Sequence, residues 1–131
     1  MRRYGRAGCD IVNVTRYGYG AKSFDDTFST GLGNRLFTGM ANLFFGRKFR
    51  FTDFLYTYLA FRRSLVTDLD LDNTMMTWGQ ILLLRGVKKN LKIVEIPSNE
   101  QRRIGGKIKV RKLPAAAQIF TTILRERFFS N

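Results

Sequence analysis

Two groups of residues in this chain are suited to chemistry: a run of cations around paired glycines, and a scatter of carboxylates. Arg102, Arg103, Lys107, Lys109, Arg111 and Lys112 surround Gly105 and Gly106. Glycines let backbone N–H groups approach an anion while Lys and Arg neutralise it, so the segment is a candidate phosphate clasp. A solvated basic loop has the same composition, and composition alone favours that simpler explanation. Among the acids, Asp25-Asp26 opens a predicted helix, where capping and the helix dipole account for it. Asp68, Asp70 and Asp72 alternate with leucines; without the glycine turn and terminal Glu of a calcium loop they read as a solvated edge. Asp53 sits among aromatic residues, where a carboxylate is costly to bury without a partner. No His and a single cysteine, Cys9, leave neither a zinc site of the usual His and Cys type nor an intramolecular disulfide. No metal site is expected.

These groups have to be carried by a small set of elements. Asp10 to Arg16 has the β-branched density of a strand, and Tyr17-Gly18-Tyr19-Gly20 closes it. Leu32, Leu36, Phe37, Met40, Leu43 and Phe44 recur at spacings of three and four, an amphipathic helix ended by Gly46. Phe49 to Phe61 reads as extended or loop-like, and Arg62 to Leu71 as a short helix or turn. Trp78 to Lys89 suits a buried helix, Leu91 to Ile96 a strand stopped by Pro97, and Pro114 to Phe128 a final helix with proline at its start. Between these last two, residues 97–113 form a long, polar and basic connection.

With 131 residues, 44% of them hydrophobic, one core of ordinary domain size is expected, hence one domain. A formal charge of +13 draws the surface to phosphates, whether on nucleic acid, on anionic lipid or on a soluble nucleotide. The basic start lacks a signal peptide's apolar run, and no stretch approaches the roughly 20 apolar residues that span a bilayer. A reducing, cytoplasmic setting fits the lone cysteine, with any membrane contact peripheral, at the cytoplasmic face. The helix over residues 32–45, with Lys22, Arg47, Lys48 and Arg50 about its ends, could lie in a bilayer interface. Periodicity alone favours an ordinary core helix.

Several motifs in order, Gly33-Asn34-Arg35-Leu36-Phe37, the stretch from Asp53 to Phe61, Leu91 to Pro97 and Arg103 to Lys109, together resemble the C-terminal half of family 2 glycosyltransferases. The similarity is greatest to enzymes that transfer sugar onto polyprenyl or dolichyl phosphate. The resemblance implies an α+β chain, a fragment of the glycosyltransferase A-type α/β fold with few strands and amphipathic helices. It also implies that residues 33–37 belong to an interface helix, with Leu36, Phe37, Met40 and Phe44 facing the membrane. Arg103, Gly105, Lys107, Lys109 and Arg35 would bind the lipid phosphate, and Asp53 would line the catalytic cleft. The family's N-terminal nucleotide-binding half, with its Asp-x-Asp metal site, has no counterpart. A complete enzyme of this kind would use Mg or Mn with a nucleotide sugar, so no cofactor is expected for the isolated chain.

The match departs from the family where chemistry is concentrated. The family's glycine in the Asp-x-x-x-Gly-Phe-Arg-x-Phe stretch is Thr57 and its arginine is Leu59; the serine of the basic motif is Ile108; no carboxylate lies between Asp72 and Glu95. These changes remove close backbone approach and an anion contact, so the isolated chain is expected to be inactive as a transferase. The expectation is an acceptor-side fragment that binds anionic membrane or polyprenyl phosphate. Two alternatives stay open: a small basic nucleic-acid-binding protein that stacks bases on Tyr17, Tyr19 or Phe51, and one half of an enzyme whose N-terminal half is encoded separately.

Overall fold

The computed structural model describes residues 8–24, 27–56, 58–71, 76–101, 104–105 and 112–129. In chain order the elements are β1 (Ile11–Thr15), α1 (Phe28–Phe45), β2 (Leu59–Phe61), α2 (Leu65–Asp68), α3 (Trp78–Lys88), β3 (Ile93–Pro97) and α4 (Lys112–Phe128). Among the described residues this is a mixed α and β chain with one three-stranded sheet and four helices, in general agreement with an α+β class.

β1 is the central strand. It pairs antiparallel with β2, Ile11 opposite Phe61, and parallel with β3, Ile11 opposite Ile93 and Asn13 opposite Glu95. Because side chains alternate across a strand, Ile11, Asn13 and Thr15 share one face, and all three are fully buried. Ile11 meets α3 so closely that a methyl group on Gly86 would stand 2.7 Å from its Cδ1. The glycine is what lets this helix lie against the sheet. Val12 and Val14 point to the opposite face with Val94 and Ile96, which are half-buried. The inward face of this β-branched strand is thus the one that carries its polar residues.

α3 is the middle of the core. Ile81, Leu82, Leu83, Leu84 and Val87 are all buried, and apolar residues around the whole circumference are what a helix enclosed by neighbours requires. Its Thr77 cap bonds Thr122 of α4 at 2.9 Å. Near its other end, Arg85 grips the fully buried Glu126 of α4 through two bonds of 3.0 and 3.1 Å.

α1 begins at Thr27, whose hydroxyl accepts from the Thr30 N–H, and ends at Gly46, whose N–H returns to the Asn42 carbonyl. Asn34, Phe37, Thr38, Ala41 and Phe45 face inward. Helices α1 and α4 run parallel. Lys112 at the start of α4 donates to Ser29 near the start of α1, at 2.7 Å, and at the far ends Phe44 and Phe128 meet edge to face, with centroids 5.8 Å apart.

The element boundaries expected from sequence hold within a few residues. Pro97 stands inside β3 rather than after it, and α4 starts two residues before Pro114. A proline fits at the outer end of an edge strand, where its missing N–H breaks no ladder bond.

Candidate functional site

Asp53 stands at the end of a chain of hydrogen bonds that starts at α1. The Asn42 side chain clasps Phe51 from both sides, donating to its carbonyl at 2.8 Å and accepting from its N–H at 2.7 Å. The Thr38 hydroxyl accepts from the Phe54 N–H at 3.1 Å. Between these anchors the loop turns Asp53 inward, where it is fully buried. Arg16, the residue after β1, answers it: its backbone N–H and Nε donate to Oδ2 at 3.0 and 2.9 Å, and Nη2 donates to Oδ1 at 3.3 Å. The Tyr56 N–H adds a fourth bond at 3.2 Å, also to Oδ1. Each carboxylate oxygen therefore accepts twice, which fills the acceptor capacity of the group. Arg16 in turn reaches Glu100 at 3.2 Å and lies over the Tyr56 ring, 4.5 Å from its centroid.

A second acid, half-buried, lies beside the first. Glu95 of β3 accepts from Asn13 Nδ2 at 3.2 Å and from the Thr52 hydroxyl at 2.7 Å, and that hydroxyl also contacts Thr15 at 2.7 Å. The polar inner face of β1 is thus explained. Asn13, Thr15 and Arg16 together fasten the 51–56 loop to the sheet, and ion pairing accounts for the burial of Asp53. Among the described residues no group of three His, Cys, Asp or Glu side chains is placed to hold a metal ion.

Burial pushes the Tyr56 phenol above its ordinary value of 10.0; Glu100 adds to the shift and Arg16 opposes it. A raised value in the folded state means stabilisation that is present below the ordinary value and lost as pH climbs through the raised one. In an ultraviolet titration we expect one tyrosine to ionise late, together with loss of stability, and Tyr56→Phe to remove that late phase. A titration unchanged by the substitution would refute the assignment.

The other feature is on the surface. Along α1, Phe28, Leu32, Leu36 and Leu43 are 87, 57, 65 and 78% exposed. At 100° per residue they form a single stripe on the side opposite Asn34, Phe37, Ala41 and Phe45. The helix is apolar on two faces, and among the described residues only the inner one is covered. On α4, Leu113, Phe120 and Phe128 are exposed at matching helical spacing, followed by Phe129. The stripe's cations lie at its margin: Arg35 on α1, then Arg47, Lys48 and Arg50 just past its end, all exposed.

The residues expected from sequence to form the site are distributed unevenly over these features. Leu36 faces outward. Phe37 is 9% exposed and belongs to the core, while Met40 and Phe44 are half-buried and packed against it. The reason is the angle: these three turn toward α3 and α4, and Leu32, Leu36 and Leu43 turn away. Arg35 and Gly105 are exposed. Arg103, Lys107 and Lys109, with Asp25 and Asp26, lie outside the described residues. Phe28 was not among the expected surface residues, although it extends the spacing of Leu32 and Leu36 by one turn. Searches against protein-family models, curated proteins and solved structures find no match to this chain, so the likeness to family 2 glycosyltransferases rests on the short motifs alone.

Proposed function

We propose that this protein associates peripherally with anionic membranes, laying the outward faces of α1 and α4 into the bilayer interface. The observation that supports the reading is the second apolar face of α1, Phe28, Leu32, Leu36 and Leu43, left uncovered opposite the core face and bordered by Arg35, Arg47, Lys48 and Arg50. Exposed apolar area of this continuity marks an interaction surface. Its cationic border, in a chain of charge +13, selects a negatively charged one. No described helix is long and apolar enough to cross a membrane, so the helices would lie in the interfacial plane. The motif resemblance, in which residues 33–37 belong to an interface helix, points to the same surface and to a lipid phosphate as the group it meets.

Sedimentation with vesicles tests the proposal. Each basic residue near an anionic surface contributes about 1 kcal/mol at moderate salt, so four of them should favour phosphatidylglycerol vesicles over neutral ones by roughly a hundredfold or more. Raising the salt should erase most of that preference. Equal binding to neutral and anionic vesicles would remove the electrostatic half of the proposal. A stable dimer that ignores vesicles would assign the stripe to self-association, and tight binding to nucleic acid at physiological salt without vesicle binding would replace the reading outright.

A further inference from the structure

Helices α1, α3 and α4 end close together, and between their ends is an open cleft of about 200 Å³. Phe44 and Phe45 contribute apolar lining, and Arg47, Lys48, Lys88 and Arg127 contribute positive charge. Cations at helix C-termini are often no more than complements to the partial negative charge there. Two observations go further. Among the described residues no carboxylate pairs with Arg47, Lys48 or Arg127, and all three are exposed. Among the described residues of the cleft wall the acid is Glu126, which is buried, held by two bonds from Arg85 and 3.8 Å from Lys88 Nζ, so it presents little uncompensated charge.

The fourth cation is different from the others. The Lys88 ammonium is half-buried on the Glu126 carbonyl at 2.8 Å, and burial lowers its pKa despite the opposing pull of Glu126. An anion entering the cleft would favour its charged form. The cleft also adjoins the apolar surface, because Phe44 in its wall touches Phe128 of the exposed α4 stripe.

We propose that this cleft is a headgroup site for a phosphate monoester of a membrane lipid, occupied while the faces of α1 and α4 lie on the bilayer. The inference rests on the membrane reading above and adds a ligand to it. A monoester presents up to two negative charges and three unsubstituted oxygens at the end of a chain, enough to meet several cations at once. A diester phosphate has one charge and is substituted on both sides, so it fits a concave cluster of cations less well.

The test uses the whole chain and two sets of phosphatidylcholine vesicles matched for surface potential, one containing phosphatidic acid and the other phosphatidylglycerol. One additional charge-assisted hydrogen bond corresponds to about a tenfold preference for the monoester. The variant Arg47→Gln with Lys48→Gln and Arg127→Gln should lose that preference, keep its thermal midpoint and retain weakened binding to phosphatidylglycerol. Equal affinity of the parent for both vesicle sets overturns the headgroup site while leaving the membrane reading intact. Absence of binding to either set overturns the membrane reading and the inference with it. Glycerol 3-phosphate separates the sources: if it binds the chain in solution as tightly as the lipid does, the cleft belongs to a soluble phosphate ester and the lipid assignment fails.

Discussion

Asp53→Ala is expected to shift the urea midpoint well below that of the parent chain. Alanine would leave the Arg16 guanidinium with Glu100 but without its fully buried partner, and would strip the bonds to the Arg16 and Tyr56 N–H groups. Removing one member of a buried ion pair costs about 3–5 kcal/mol, against a total stability of about 5–15 kcal/mol for a single domain. A double variant, Arg16→Met with Asp53→Leu, should recover a good part of the loss, because an apolar pair of similar volume leaves no buried charge. Urea denaturation of the parent and the two variants measures both effects. If Asp53→Ala melts like the parent, the carboxylate is not a structural clasp and its role must be sought in binding or chemistry.

The second large effect separates the two faces of α1. Changing Phe28, Leu36 and Leu43 together to Ser should weaken binding to anionic vesicles at least about a hundredfold while leaving the fold intact. Full burial of such side chains is favourable by about 1.5–3 kcal/mol each, and about two thirds of that for three residues reaches the stated loss. Phe37→Ser should do the opposite. It removes a ring from the core, where large-to-small changes cost about 3–5 kcal/mol, and its effect on vesicles should be no more than its effect on folding explains. A folded triple variant that binds normally would exclude insertion of the stripe.

Much of the secondary structure was legible from periodicity and punctuation. β-branched density placed β1, the spacing of three and four with Gly46 placed α1, and the proline near the start of α4 marked its entry. What periodicity cannot supply is the direction in which a doubly apolar helix faces. Phe37 and Leu36 are neighbours in sequence and similar in hydrophobicity, yet only the packing of α3 and α4 decides that Phe37 goes inward. The same limit applies to the polar cluster. Arg16 and Asp53 are 37 positions apart, and nothing local in either segment names the other. An inward Asn13 and Thr15 break the usual sense of strand patterning, and they become intelligible only once the 51–56 loop is seen lying against β1. The cationic cleft required three helix ends to converge, which is a property of tertiary structure; Arg47 and Lys48 were visible beforehand only as charges at the end of a helix.

The pairing of the first strand with the last sets an order of events during synthesis. Asn13 and its register partner Glu95 are separated by 82 residues, so β1 leaves the ribosome long before the strand it needs. α1 follows soon after β1, with apolar groups on both sides and neither α3 nor α4 yet made to cover the inner one. Long-range pairing of this kind slows folding through the entropy of closing the loop. During that interval the nascent helix presents more greasy surface than it ever will again. A bilayer or a chaperone within reach of the growing chain would meet it then, in a state more adhesive than the finished protein.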